Sequence, residues 1–518
     1  MTTILQPKVT VNIIPSSEPV QNTGQKILFV GQKLSAGSAT AGALVEAINN
    51  SGGEDGLFGA KSMLATLIRA NKVRNKQIQV DAIALDDAGA GVAATGTLAV
   101  SGTATEAGTL TVIAGSERNY SYSIAVASGD TATVVGDAIE AAITANTTTP
   151  VSASNTTGTV TITAENKGTY GNSIPLEIQG EVAGLSTTVT GMSGGATDPT
   201  LTGVFDVIGD SRYQAIVWPY PNATTEVLAL LDPRFNADGK VLDGVAFTAT
   251  NDTYANLISL GTPLNSESLV IFGGKQETET NYAGGDIVEI PMVKAAVFAG
   301  YRGLRLDVDG FSIADLVITA NGPLDSFGGP ALASKPYFNM PFDDLFTIKP
   351  GRGFDDSEIE NLTNDAGLSI LGNNIAGNGI ITGEVVTSYK TDSAGNPDIT
   401  FKYLNYVDTA SQAREYFHNN YRKRFAQSRL TEGDLLKGRD MANEALIRSY
   451  AKRLYQTLSG VDYVLLESGE DALTFFDENL IISIDKALGK VTIQKTVPIV
   501  TQLREIAATM KIAFSTNS

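Results

Sequence analysis

The sequence offers few places for chemistry, and each can be weighed by residue type and spacing. There is one histidine, His418. A nucleophilic triad needs that histidine beside a serine and a carboxylate. No serine sits in the G-x-S-x-G pattern of a strand–turn–helix elbow. Flanked by Asn419, Asn420 and Arg422 on the polar side of an expected helix, His418 reads as a surface or interface residue. Gly273-Gly274-Lys275 follows an apolar strand, where phosphates often bind. It lacks the four-residue spacer and trailing hydroxyl of a P-loop and reads as a turn. Asp307, Asp309 and Gly310 match part of a calcium loop without its remaining ligands or closing glutamate. Asp355, Asp356, Glu358 and Glu360 have the charge to hold a hard cation; acids at a helix start are the plainer reading. No catalytic, metal or cofactor-binding residue is therefore expected, and the chain reads as a non-enzyme without a cofactor.

The elements around these residues alternate between strands and helices. Residues 26–30 read as a buried strand, 39–48 and 60–73 as helices, and 78–85 as a second strand. Between 92 and 195 the composition turns to Thr, Ala, Ser and Gly, with short alternating strands at 97–101, 108–114 and 120–127. One amphipathic helix follows, with Asp130 as its N-cap, and then a hairpin turning at Thr156-Thr157-Gly158. This stretch reads as a self-contained, mostly β unit inserted into the chain. Strands at 214–218, 244–249 and 268–272 then alternate with helices at 224–231 and 254–260, the pattern of a parallel sheet under helices. Residues 321–374 read as loop-rich, and 380–387 with 400–407 as a hairpin around Ser393-Ala394-Gly395-Asn396.

Beyond that point helices take over. Thr409 and Gln412 suggest a capping box for a helix reaching 427, with Phe417, Tyr421 and Phe425 at fourfold spacing. A second helix is expected over 438–458, then strands at 480–484 and 490–497. Between 411 and 455 there are ten basic residues against five acidic ones; between 456 and 485 there are seven acidic and no basic ones. Opposite blocks of this kind satisfy each other within one copy or set the register between copies. The two ends, 8–14 and 510–514, alternate as short strands outside any core and would seek a partner edge.

Composition narrows the class. A chain of 518 residues calls for two to four domains, and 42% hydrophobic residues supply their cores. The net charge of −19 is the wrong sign for a groove that tracks phosphates, so no direct nucleic-acid partner is expected. With no cysteine, disulfides and thiolate sites are excluded. The first fifteen residues lack a basic segment followed by an apolar run, and the best apolar stretch, 291–299, is broken by Lys294. Neither an export signal nor membrane insertion is expected.

Several motifs, in order, resemble tail sheath proteins of Mu-like phages with contractile tails. Phe58-Gly59-Ala60-Lys61-Ser62-Met63-Leu64-Ala65 resembles that family's first-helix signature. Lys167-Gly168-Thr169-Tyr170-Gly171-Asn172 resembles the exit of its inserted domain. Gly194-Gly195-Ala196-Thr197-Asp198-Pro199 resembles the returning linker, and Val217-Trp218-Pro219-Tyr220 the strand end after it.

The resemblance implies a particular organisation. An N-terminal arm (1–20) precedes the first part of an inner α/β domain (21–91). A β-rich outer domain (92–195) is inserted there. An α/β domain of subtilisin-like shape (200–385), an α+β C-terminal domain (386–505) and a C-terminal arm (506–518) follow. It also implies that the arms add strands to neighbouring copies: Val9, Val11 and Ile13 at one end, Ile512 and Phe514 at the other. Their host would be a hairpin bearing Ile482, Ile484, Val491 and Ile493. Arg422, Lys423 and Arg424 are the candidate residues facing an inner tube.

The implied partners are further copies of the chain, a tail tube protein, and baseplate and tail terminator proteins. The implied setting is a virion tail assembled in the host cytoplasm, where contraction drives the tube through the envelope for genome delivery. The sheath of a tailocin or another contractile injection system would share this biochemistry. A phage surface or adhesin-type structural protein is the other structural alternative, and a serine hydrolase has only His418 to offer.

Overall fold

The computed structural model of the protein describes residues 25–48, 52–73, 78–235, 237, 240–306, 337, 345–373, 380–435, 440–460, 465–485, 487 and 489–501. Its first strand, β1 (Lys26–Gln32), carries Ile27, Leu28, Phe29 and Val30 with no solvent exposure. An apolar run buried on both faces is what a helix-covered parallel sheet requires. A short strand β2 (Leu44–Val45) and helices α1 (Gly53–Phe58) and α2 (Met63–Lys72) follow, then β3 (Gln79–Leu85), parallel to β1. Helix α2 starts where its cap is: the Ser62 hydroxyl accepts the Ala65 N–H at 3.0 Å. The helix expected at 39–48 does not form. Gly42 adopts a left-handed φ of 76° and donates to the Ala84 carbonyl, and β2 pairs with β3 instead.

The Thr-rich stretch folds as β4 (Ala93–Gly102), β5 (Gly108–Ala114), β6 (Ser121–Val126), α3 (Ala132–Ala145), β7 (Val151–Thr156), β8 (Thr159–Lys167), β9 (Leu176–Gln179) and β10 (Leu185–Ser193). Strands β10-β4-β8-β7 form one antiparallel sheet. The β7–β8 hairpin turns where expected, with Thr157 and Gly158 both at positive φ, as a two-residue primed turn demands. The cap of α3 is Thr131 and not Asp130, whose carboxylate accepts the Ala127 N–H one turn earlier.

The α/β alternation resumes with β11 (Ala215–Val217), α4 (Thr225–Phe235), β12 (Val245–Asp252), α5 (Tyr254–Gly261), β13 (Leu269–Glu279), β14 (Tyr282–Gly285), α6 (Pro291–Leu306), α7 (Asp356–Asn364), β15 (Leu368–Asn373) and β16 (Ile380–Thr382). The sheet runs β2-β3-β1-β11-β12-β13, with β15 parallel on the far side of β13. The second half of β13 pairs with β14, and β14 continues through β9 and β5 to β6. The inserted stretch is therefore not self-contained, because backbone ladders join it to the core sheet. Helix α6 crosses that sheet and is buried almost all round, including Lys294, Arg302 and Arg305. Its charged residues Lys294, Arg302 and Arg305 fall on one face, so the helix is amphipathic in sequence although neither face meets solvent.

The last elements are α8 (Leu404–Phe425), two-residue strands β17 (Arg429–Leu430) and β18 (Met441–Ala442), α9 (Glu444–Leu458), α10 (Glu470–Glu478), β19 (Ile481–Asp485) and β20 (Lys490–Gln494). The strand expected at 400–407 is largely the start of α8, and its capping box is absent. Tyr403 occupies the cap position, and the Thr409 hydroxyl bonds the Asn405 carbonyl inside the helix. Of that hairpin the Val386–Tyr403 and Thr391–Pro397 bridges remain, with the Thr387 N–H on the Lys402 carbonyl; its turn holds, because the Asp392 carboxylate accepts the Ala394 and Asn396 N–H groups. The 438–458 helix begins six residues later than expected, at Glu444, capped by Asn443.

Candidate functional site: an assembly surface

The residues first considered for chemistry are occupied with structure. Gly273 and Gly274 lie inside β13 and not in a turn. A Cβ at Gly274 would come 2.1 Å from Asn251 Oδ1 and 2.6 Å from Lys294 Nζ. The bare glycine thus makes room for a buried cluster in which Lys294 donates to Asn251 Oδ1 (3.0 Å) and Asp286 Oδ1 (3.1 Å). Asp355 and Glu358 form the capping box of α7, each accepting the other's N–H. Half-buried His418 has Nδ1 3.3 Å from Asn419 Oδ1. Asp307, Asp309 and Gly310 lie outside the described residues. Among those described, no three His, Asp or Glu side chains converge as a metal site, and no helix is long and apolar enough to cross a membrane.

What the C-terminal elements build is a surface carried on a rigid mount. The first half of α8 is fixed to the α/β core by two buried charge networks. Arg302 of α6 donates to Asp408 Oδ1 through Nη2 (2.6 Å) and Nε (3.1 Å), and the Tyr337 hydroxyl donates to Asp408 Oδ2 at 2.5 Å. Asp243 faces Arg212 (3.3 Å) and Arg414 (2.8 Å) and accepts from the Ser411 hydroxyl. Burial pushes the Asp243 carboxyl up, but Arg212 and Arg414 override it and hold it below the usual carboxylate range. Charge pairs like these are costly to break singly, so α8 moves with the core.

The second half of α8 belongs to a separate apolar cluster with α9, α10 and the hairpin. The expected aromatic spacing is used there. Phe417, Tyr421 and Phe425 run along α8, Phe425 meets Tyr450 edge-on at 5.4 Å, and Tyr455 stacks on Phe476 at 4.6 Å. Lys495, just past β20, sets its ammonium 4.3 Å from the Phe417 ring centroid, and burial lowers its pKa to about 8.

Strands β19 and β20 pair antiparallel, with Ile482 opposite Ile493 and Ile484 opposite Val491. These four share the partly buried face, while Ile481 is 58% exposed on the other. Among the described residues, neither outer edge of this two-stranded sheet is paired with another strand. A cleft of about 510 Å³ opens between Ile484 and the first turn of α9, lined by Asn443, Glu444, Ala445, Arg448 and Glu432. Unpaired edges beside an open cleft are the geometry that accepts an added strand. The arm residues Val9, Val11, Ile13, Ile512 and Phe514 lie outside the described residues.

The opposite charge blocks meet at Asp477. Arg448 and Lys452 of α9 both reach Asp477 of α10, at 3.3 and 2.9 Å. Arg422, Lys423 and Arg424, in the last turn of α8, stay exposed without an ion pair among the described residues. Basic residues there also suit the negative end of the helix dipole. The exposed acids Glu470, Asp471 and Glu478 of α10 are likewise unpaired, and Phe475 beside them is 44% exposed. Helix α10 is only nine residues long, a short window for a periodic pattern; its signals are the Gly469-Glu470-Asp471 start and the apolar spacing of Leu473, Phe476 and Leu480.

Comparison with known proteins bears out the resemblance read from the motifs. The chain is 34% identical over 249 residues to a Mu-like prophage tail sheath protein from Haemophilus influenzae, a match covering 46% of this chain and 50% of that protein. The chain thus spans about half the length of the curated relative it matches. No family model matches. Among solved structures, a sheath tail protein from Listeria innocua is 12% identical with a TM-score of 0.44, covering 92% of each chain. The anti-feeding prophage helical sheath in its contracted state is 11% identical with a TM-score of 0.42, covering 99% of each. The baseplate of the anti-feeding prophage gives 11% and 0.43, covering 98% of this chain and 100% of that one.

Proposed function

We propose that this chain is the repeating, non-enzymatic subunit of a contractile tail sheath. Copies polymerise helically around an inner tube, held between a baseplate and a terminator. Shortening of the polymer drives the tube through a host envelope for genome delivery. The observation that carries this reading is the open β19–β20 hairpin on a module fixed by buried charge pairs to the α/β core, in a chain similar to a prophage tail sheath protein.

In this reading the segments 1–20 and 506–518 are arms that leave their own copy and extend the hairpin of another. Main-chain hydrogen bonds supply the affinity, and alternate side-chain pockets around Ile482, Ile484, Val491 and Ile493 supply register. The arms act as tethers while the α/β core, the 92–195 insert and α8 turn as one body, since α8 cannot part from α6 without stranding Asp408 or Arg302. Assembly would take place in the host cytoplasm, and the product would be part of a virion tail.

The test is removal of each arm. Deleting 1–20 or 506–518 should leave folded monomers that no longer polymerise, read by sedimentation and circular dichroism. Undiminished polymer after either deletion would refute strand exchange by that arm. The tube is one candidate occupant of Arg422, Lys423 and Arg424; a second copy of the chain competes for the same residues, favoured by the charges on α10.

A further inference from the structure

We infer that the basic last turn of α8 docks on the acidic face of α10 in a second copy of the chain, and that this contact sets the register of the polymer. The inference rests on the proposed polymer and names a surface of it. Three observations support it.

The two patches are opposite in sign, and both are left over after internal pairing. Asp477 consumes Arg448 and Lys452, whereas Arg422, Lys423, Arg424 and Glu470, Asp471, Glu478 keep exposed side chains without ion pairs among the described residues. Copies with a net charge of −19 repel one another, and a contact that brings a positive patch to a negative one offsets that repulsion and fixes register. Arg422 to Arg424, exposed and without an ion pair among the described residues, form a compact basic group that meets this need.

Geometry favours a second copy over the same one. Helix α8 spans about 33 Å at ~1.5 Å per residue, with its first half fixed to the core and its second half packed on α9, so the basic turn is held in place. Where the basic turn of one copy meets the acidic face of the next and leaves its own acidic face free, the contact is head-to-tail. Contacts of that type generate open helical filaments or rings and not closed pairs. Phe475, exposed beside the acids, adds an apolar centre to a polar rim.

The absence of native cysteine makes a direct test clean. Lys423→Cys and Glu478→Cys, made in separate full-length chains and mixed during assembly, should cross-link with a short bismaleimide, and neither variant alone should do so. Reversing one patch (Arg422→Glu, Lys423→Glu and Arg424→Glu) should weaken self-association on the order of a hundredfold at low salt. Reversing the other (Glu470→Lys, Asp471→Lys and Glu478→Lys) should do the same, and a chain carrying both reversals should recover. No hetero-cross-link, or no recovery in the doubly reversed chain, would overturn the inference. Lost tube docking with intact copy-to-copy association would also overturn it and assign the basic turn to the tube. Polymer that survives both reversals but vanishes on deleting 1–20 leaves strand exchange standing while this contact fails. Polymer indifferent to that deletion tells against strand exchange itself.

Discussion

Glu289 should make the junction between the inserted stretch and the core sensitive to pH, and Glu289→Gln should remove that sensitivity. The side chain is 2% exposed just ahead of α6; its Oε2 accepts the Ser116 hydroxyl at 2.6 Å and its Oε1 the Ile290 N–H at 2.9 Å. Burial pushes its pKa from 4.5 up to about 7, against smaller opposing effects of Ser116, Ile290, Lys294 and Arg118. The folded chain therefore keeps a proton that the unfolded chain gives up. Stability from this group is fully present below pH 4.5 and is lost as pH rises through about 7. At ~1.4 kcal/mol per pH unit, the shift is worth about 3 kcal/mol. Glutamine keeps an oxygen for the Ile290 N–H and offers an amide to the Ser116 oxygen, without any charge to bury. Urea unfolding of both proteins as monomers, followed by circular dichroism from about pH 4 to pH 8.5, reads the difference. The variant should match the natural chain at the acid end and exceed it by about 3 kcal/mol above pH 7. Two parallel pH curves, or a variant less stable at pH 8, would refute the assignment of a buried proton to Glu289.

Other perturbations follow from the same networks. Asp408→Asn leaves Arg302 buried without its counter-ion and should cost roughly 3–5 kcal/mol in denaturant unfolding, whereas an exposed change such as Glu478→Gln should cost under about 0.5 kcal/mol. Asp243 is held low by its two arginines. Its stabilisation is present above the ordinary carboxylate pKa and is lost as pH falls through the depressed one, so the natural chain should loosen around α8 only in strong acid. Limited proteolysis across 411–415 should show that acid step, and Asp243→Asn should give the cleaved pattern already at neutral pH. Gly274→Ala puts a methyl group against Asn251 and Lys294 and should destabilise by about 1–3 kcal/mol or more, seen as a lowered unfolding midpoint.

The parallel core was legible because burial on both faces forces continuous apolar runs such as Ile27–Val30, and the β7–β8 hairpin because Gly158 is a local turn signal. The β19–β20 hairpin showed itself the same way, through alternation around Gly489. What was not legible depends on partners far along the chain. Arg302 and Asp408 are 106 residues apart and Arg212 and Glu415 are 203 apart, and neither pair leaves a local pattern. Helix α6 carries Lys294, Arg302 and Arg305 on one face, but that face is buried against partners such as Asp286 and Asp408 and not turned to solvent. Gly273-Gly274 read as a turn because the need for space beside Asn251 and Lys294 is tertiary. On the assembly surface the basic turn and the acidic block were visible as charge, but which residues pair internally at Asp477, and which remain exposed, is a matter of packing.

The most direct test is electron microscopy of the purified full chain beside a chain lacking residues 1–20, at matched concentration. Hollow tubes or rings are expected from the full chain and only single particles from the shortened one. Identical tubes from both chains would contradict strand exchange between copies, and monodisperse single particles from the full chain, with or without an inner tube to template it, would contradict a polymerising sheath.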